Sequence, residues 1–308
     1  MNYTLHQLQI FMKVVQRESI TKAAEDLHLS QPAVSVQLKN FQDQFEIPLT
    51  EVVGRKLYVT DFGKEIADYA QKILEQIDVI QSRTAVYKGR LAGKLKISVV
   101  STGKYVIPYF LSEFLRRNPD VDLKLDVTNK AMVINSLDDN EIDFALVSIL
   151  PEAFQVERVP LMENNLYLVA GKDFQLSTGT LDPHMLEKMV LIFREAGSGT
   201  RLVMERFLKD HDIHVQRKLE LTSNEAVKQA VLAGLGCSIM PLIGIKNELR
   251  NGDLKIIPVK GLPIVTDWHL IHLKNKRFSP VALAFLDFII QNKEQIIDEH
   301  FQWYRHFK

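Results

Sequence analysis

Residues 19–46, SITKAAEDLHLSQPAVSVQLKNFQDQFE, set two short amphipathic helices on either side of a tight polar turn. The first helix carries Ala23, Ala24 and Leu27 on its apolar side, small residues where two backbones must approach closely. Ser30 stands where a helix N-cap is wanted, and Gln31 and Pro32 occupy the first turn of the second helix. Val34, Leu38, Phe41 and Phe45 then recur at spacings of 4, 3 and 4, which makes one buried stripe. The opposite face presents Pro32, Ala33, Ser35, Val36, Lys39 and Asn40. Two architectures accommodate this pattern. One is a helix-turn-helix that lays its second helix in a DNA major groove; the other is an ordinary helical hairpin in some other core.

The chain has 308 residues, 46% hydrophobic and 25% charged, which describes a globular protein of about two or three domains. No apolar run approaches the ~18 residues of a membrane span. The opening MNYTLHQLQIF lacks the basic and apolar regions of a signal peptide, so a cytoplasmic protein with no membrane partner is expected. The single cysteine, Cys237, excludes an internal disulfide and a cysteine-rich metal site. Formal net charge is +0. Any phosphate contacts must therefore come from local clustering of Lys39, Arg55, Lys56 and Lys64, with Asp43, Glu46 and Glu51 turned elsewhere.

Residues 4–17 read as a helix with Leu5, Leu8, Phe11, Met12 and Val15 on its apolar side, packed across the helix pair. In TEVVGRKLYVTDFG, Val53-Gly54-Arg55-Lys56 reads as the tip of a hairpin between two short extended pieces. As a β-wing it would send Arg55 towards a neighbouring minor groove; as a plain turn it would only be solvated. Downstream, Ile66, Ala70, Ile73, Ile77, Ile80, Thr84 and Tyr87 repeat at 4, 3, 4, 3, 4 and 3. That period of about 3.5 describes a coiled-coil seam on a helix about 39 Å long. We expect it to pair with another copy of the chain, the other option being a long helix packed on its own C-terminal domain.

After the basic linker KGRLAGK the texture changes to alternating strands and helices. Strand 95–101, helix 105–119, strand 121–128, helix 131–140 and strand 142–149 make a βαβαβ unit with a parallel sheet. A second set comprises strands at LYLVAG, VLIF, KLELT and CSIM, with helices over 199–210 and 224–233. Residues 264–273 read as a long returning strand holding Trp268, a potential fluorescent reporter of lobe closure. They are followed by a helix at 279–291 and a separate terminal helix in EQIIDEHFQWYRHFK.

Ligands in open α/β sheets sit beyond the carboxyl ends of strands, against helix N-termini. Those places here are Ser101-Thr102-Gly103, Thr128-Asn129, Ser148 and the loop REAGSGTR, 194–201. The loop offers Gly197, Ser198, Gly199 and Thr200 for close backbone approach, and adds Arg194 and Arg201 as cations. This is chemistry for a small anion, although the loop would equally serve as a solvated turn with a good helix cap. It is neither a Walker A motif nor a dinucleotide fingerprint, and no cofactor is expected.

Enzyme signatures are missing. Cys237 lies in the apolar GLGCSIMP and reads as a small core residue. His211 and His214 lack a third metal ligand, and His269 and His272 fall on opposite faces of a strand. Asp138-Asp139 and Glu141 with Asp143 read as a solvated face, and no nucleophile elbow is present.

The motif SITKAAEDLHLSQPAVSVQL, 19–38, closely resembles the N-terminal signature of LysR-type transcriptional regulators. STGKYVIP (101–108), NEIDFALVS (140–148) and REAGSGTR also resemble the subgroup that governs carbon-dioxide fixation and cysteine or sulfur metabolism. The resemblance covers essentially the whole chain. It implies an α/β protein with an N-terminal winged helix-turn-helix, a long linker helix and a two-lobed effector domain like a periplasmic binding protein. The implied divisions are 1–62 for the DNA-binding domain and 63–90 for the linker, then 91–163 with 268–308 for one lobe and 164–267 for the other. The assembly implied is a dimer of dimers, and the partners are double-stranded operator DNA, a small anionic metabolite and RNA polymerase. By the same likeness Gln31, Pro32, Ser35 and Arg55 contact DNA, and Ser101, Thr102, Ser148 and Thr200 bind the inducer. The full candidate set for DNA is Thr21, Ser30, Gln31, Pro32, Ala33, Ser35, Val36, Lys39, Arg55 and Lys56. The set for the effector is Ser101, Thr102, Thr128, Asn129, Ser148, Arg194, Gly197, Ser198, Gly199, Thr200 and Arg201.

Two positions depart from the family pattern. Relatives often carry Arg or Gln where this chain has Val36, so a contact with a thymine methyl is expected to replace a hydrogen bond. Thr50 follows Leu49 where relatives usually carry an aromatic, so poorer packing and a more mobile wing are expected. The competing reading is a solute-binding or enzymatic α/β protein whose helical N-terminus only dimerises.

Overall fold

In the computed structural model, residues 2–54, 56–87, 90–175 and 179–305 are described, apart from the side chains of residues 75, 78, 79, 81–87 and 305. The chain divides into two compact units, Met1–Gly89 and Arg90–Lys308.

The first unit begins with α1 (Leu5–Arg17), whose start is closed by a reciprocal capping box between Thr4 and Gln7. Ser19 caps α2 (Ile20–Asp26) and Ser30 caps α3 (Gln31–Gln42), each by accepting a backbone N–H three residues on. Between them His28 takes a left-handed conformation, and the Leu29 N–H reaches back to the Ala24 carbonyl at 2.9 Å. Ala23, Ala24, Val34, Leu38 and Phe41 are buried together against Phe11, with the Phe11 and Phe41 rings 5.0 Å apart. Burying each such ring contributes roughly 1.5–3 kcal/mol. Helix α3 ends at Gln42, so Phe45 lies beyond it. Its ring still closes the same core, 5.1 Å from Phe41 and 6.2 Å from Phe62.

The wing is the antiparallel pair β1 (Thr50–Val53) and β2 (Lys56–Val59). Its tip residue Arg55 lies outside the described residues. Thr50 corrects the expectation of a loose corner. Its N–H and hydroxyl both donate to the Gln42 side-chain oxygen, at 3.0 and 2.6 Å, so hydrogen bonds to α3 replace aromatic packing.

Helix α4 (Asp61–Tyr87) starts where the wing returns. The Thr60 hydroxyl accepts from the Gly63 N–H at 2.9 Å, and a Cβ at residue 63 would stand 2.0 Å from the Leu49 carbonyl oxygen. Only glycine permits that approach. The proposed seam on α4 is divided by its burial. Ala70 is 1% exposed inside the core formed with α1, and Ile66 packs on the same core. Those two residues are corrected from dimer contacts to intradomain packing, because α1 already covers them. Ile73 is 40% exposed and Ile77 half-buried, while Ile80 is exposed. The side chains of Thr84 and Tyr87 lie outside what is described.

The second unit contains β3 (Gly93–Val100), α5 (Ile107–Arg117), β4 (Val121–Thr128), α6 (Lys130–Asp138), β5 (Phe144–Val147), β6 (Val156–Gly171) and β7 (Val190–Arg194). It continues through α7 (Gly199–Asp210), β8 (Arg217–Leu221), α8 (Asn224–Leu232), β9 (Ser238–Pro241), α9 (Lys246–Asn251), β10 (Leu254–Ile257), β11 (Ile264–Leu273), α10 (Pro280–His300) and α11 (Gln302–Arg305). In the first lobe β3 lies parallel between β4 and β5. In the second, β7 and β8 are parallel, and β9 and β10 run antiparallel to β6. The second set of strands is thus of mixed direction, with β7 and β8 forming a separate two-stranded sheet.

The 16-residue β6 and 10-residue β11 pair antiparallel and pass through both lobes. The strand read at LYLVAG therefore begins ten residues earlier, at Val156. Trp268 sits fully buried at the irregularity between Asp267 and His269 on β11. The expected break before the terminal helix is also absent. Helix α10 runs unbroken to His300, because Phe288, Ile289, Ile296 and Ile297 keep one face in the core. Beyond it, Phe301 packs 5.1 Å from Tyr109 of α5, and the Asn165 N–H of β6 donates to the Tyr304 hydroxyl at 2.5 Å.

Candidate functional site

Helix α3 displays the face read from its sequence. Gln31, Pro32, Ala33, Val36 and Lys39 are exposed, Ser35 is half-buried, and Ser30 is occupied in capping Ala33. Val36 is 55% exposed, a large fraction for a branched apolar side chain. Thr21 on α2 and Lys56 on β2 are also exposed. Lys64 lies 3.0 Å from Asp61 in an exposed ion pair.

The second unit gathers a chamber from segments more than a hundred residues apart. Ser101 and Thr102 end β3, Asn129 and Lys130 begin α6, and Ser148 follows β5. Arg194 ends β7, Ser198, Gly199 and Thr200 begin α7, and Asn224 begins α8. Val100 and Ile149 complete the lining of a space of about 20 Å³, room for about one water. The starts of three helices, α6, α7 and α8, therefore line one space, and the partial positive charge of helix N-termini favours an anion there. Thr102 and Ser198 are buried at helix starts, yet neither hydroxyl caps a backbone N–H, which leaves both to face the chamber.

The cations are distributed otherwise than the sequence indicated. Arg194 lines the chamber, but its guanidinium makes a two-pronged contact with Glu195, at 2.7 and 2.8 Å. Arg201 bonds Glu205 and Glu220, each at 2.7 Å, and the Arg194 carbonyl at 3.1 Å. Arg201 is thus a brace rather than a chamber residue, since its own carboxylates hold it. Thr128 is also outside the lining, because the next residue, Asn129, caps α6 and the helix start makes the approach. Lys130, absent from the sequence-derived set, is in the lining and in no ion pair among the described residues. Burial pulls its ammonium below the ordinary lysine range, partly opposed by Glu152. Its adjacency to Asn129 was the available signal. Asn224 was missed too, although Ser223-Asn224 follows β8 much as Ser101-Thr102 follows the body of β3.

Gly197 forms a wall instead of a lining. At φ +86° its carbonyl accepts the Ala131 N–H at 3.1 Å, joining the loop before α7 to the start of α6. Beyond this contact lies an open cavity of about 670 Å³, edged by Lys130, Ile134, Arg201, Leu202 and Arg206.

Cys237 is buried, and desolvation pushes its thiol up to about 11, the behaviour of a core residue. Among the described residues no cluster of three or more His, Cys, Asp or Glu could hold a metal ion. No helix among them is long and apolar enough to cross a membrane.

Residues 5–64 match the family described as "Bacterial regulatory helix-turn-helix protein, lysR family", and residues 88–294 match "LysR substrate binding domain". The chain belongs to the LysR family. It is a DNA-binding transcriptional regulator with a small-molecule effector, and not an enzyme. Among LysR relatives, the transcriptional activator CmpR of Synechocystis is 34% identical over 296 residues, covering 96% of this chain and 97% of that one. A RuBisCO operon transcriptional regulator of Allochromatium vinosum is 36% identical over 291 residues, covering 94% of this chain and 96% of its own. The regulatory domain of Synechocystis CcmR, solved in complex with 2-PG, superposes with a TM-score of 0.62 at 32% identity. It covers 65% of this chain and 97% of that one. The solute-binding or enzymatic reading is not favoured beside these LysR relatives.

Proposed function

We propose that this regulator senses a small phosphorylated carboxylate of the 2-phosphoglycolate kind and controls genes of inorganic-carbon use. The observation that carries the reading is the convergence of three helix N-termini, five hydroxyl residues and Lys130 on one chamber. With both arginines engaged by carboxylates, Lys130 supplies the unspent charge. Hydroxyls and helix-start N–H groups suit phosphate oxygens, which accept several short hydrogen bonds. The similarity to regulators of the RuBisCO operon and to a domain solved with 2-PG supports the same assignment.

A chamber of about 20 Å³ does not accommodate such a ligand as it stands. Binding then requires the lobes, taken as 91–163 with 268–308 and 164–267, to part about β6 and β11. The Ala131–Gly197 contact is the point of parting on the side of the open cavity. A ligand shifts this equilibrium only by its differential affinity for the two arrangements. In the same reading the protein acts in the cytoplasm as a dimer or tetramer joined through the outer part of α4, where Ile73 is exposed. RNA polymerase is then its partner at the promoter.

The test is calorimetric titration of the full chain with 2-phosphoglycolate, sulfate and unphosphorylated glycolate. Saturable binding of the phosphorylated acid, weakened ~10- to 100-fold in Lys130→Met, is expected for loss of a charge-assisted contact. Equal affinity in wild type and variant would remove Lys130 from the site, and no binding of any anion would sink the chamber reading.

A further inference from the structure

We infer that Val36 reads the 5-methyl group of a thymine, and that this hydrocarbon contact, not a charged hydrogen bond, fixes sequence choice at the centre of α3. The inference rests on the family's DNA binding and adds what the recognition helix selects. In a helix-turn-helix the N-terminal part of the second helix faces the base edges of the major groove. Here that part offers Pro32, Ala33 and Val36 at spacings of 1 and 3, all exposed, as a continuous apolar track. Val36 shows 55% of its surface to solvent on a helix that buries its other β-branched residue, Val34, completely. The first cation along this face is Lys39, three residues beyond Val36. The polar residues Gln31 and Asn40 stand at its two ends, Ser35 beside Val36 is half-buried, and Ser30 is used in its cap.

Major-groove edges present hydrogen-bond donors and acceptors at every base pair, and one apolar group, the thymine methyl. Guanine, adenine or cytosine beneath Val36 would lose water from polar atoms and gain no partner. Thymine alone loses water from a methyl that the valine methyls can cover. The contact therefore discriminates by hydrophobic gain and by the penalty on the other three bases.

The experiment selects bound duplexes from a randomised library with the full-length wild-type protein, then replaces each selected thymine singly by deoxyuridine, which lacks only the methyl. One or more positions are expected where this change weakens binding about four-fold, the worth of one buried methyl group. In Val36→Ala the sensitivity at those positions should largely disappear, while replacements elsewhere keep their wild-type effects. Val36→Arg, selected on the same library, should exchange thymine for guanine at the same step. Deoxyuridine tolerated at every position, or an equal loss in Val36→Ala, would overturn the inference while leaving DNA binding intact. If no sequence is selected at all, the DNA-binding reading falls and takes this one with it.

Discussion

The outward face of α3 and the effector chamber are both recognition surfaces, yet they are built in opposite ways. One is displayed by a single twelve-residue helix, whose buried stripe decides by geometry which side faces out. The other gathers strand ends and helix starts from residue 100 to residue 224 and closes them to about 20 Å³. The first is poor in charge and exposes an apolar side chain, Val36, at its centre. The second brings helix starts around one lysine, with its arginine, Arg194, already paired to Glu195. A local surface can change its specificity one residue at a time, as Val36 illustrates. A convergent one depends on the backbone contacts that hold its parts in register.

Glycines at the two sites test that contrast most severely. In Gly63→Ala a methyl would meet the Leu49 carbonyl oxygen at 2.0 Å, a backbone atom, with a Val59 methyl 3.0 Å away on the wing. The expected cost is about 3 kcal/mol or more. It should appear as loss of DNA binding and an early melting step, with anion binding by the second unit retained. Simultaneous loss of both activities would break the picture of separately built surfaces.

Gly197→Ala carries a smaller burden. The φ of +86° and a distance of 3.0 Å to the Ala131 Cβ predict about 1–2 kcal/mol of strain. Because the strain falls on the wall of the chamber, phosphoglycolate affinity should change while DNA affinity in its absence stays near wild type. An unchanged titration curve would remove the Ala131–Gly197 contact from the binding event.

The mildest lever is pH. Burial lowers the Lys130 pKa, so its charge is present below that lowered value and lost as pH rises through it. Above about pH 7.5 a phosphate with its second pKa near 6 is fully ionised, so any fall in affinity reports on the protein. Anion affinity should decline earlier on the alkaline side than an ordinary lysine would cause, and Lys130→Met should flatten the profile. A decline of the same shape in the variant would assign it to another group.

These differences also mark what was legible before any fold was known. The period of Val34, Leu38 and Phe41 identified both faces of α3, because a helix repeats every 3.6 residues whatever surrounds it. The same reasoning placed the strand at Val121–Thr128 and the helix at Gly199–Asp210 with their observed limits. Periodicity misled at Ile66 and Ala70, where the regular stripe packs in the core of its own unit, since a repeat carries no record of which neighbour covers it. It missed the first half of β6 for a related reason. VERVPLME has no clean alternation, and its pairing with β11 across more than a hundred residues is what makes it a strand.

By itself, then, the sequence determined the helix-turn-helix, the wing, the order of α/β elements and the hydroxyl-bearing strand ends, all of which follow from local spacing and cap chemistry. Only the tertiary structure decided the charge of the effector site. Arg194 and Arg201 looked free in REAGSGTR, but Glu195, Glu205 and Glu220 claim them, and Lys130 takes their place. Glu195 and Glu205 are neighbours of their arginines along the chain. The reach of Glu220 from β8 to Arg201, and the arrival of Lys130 from α6 in the lining, depend instead on which elements packing brings together.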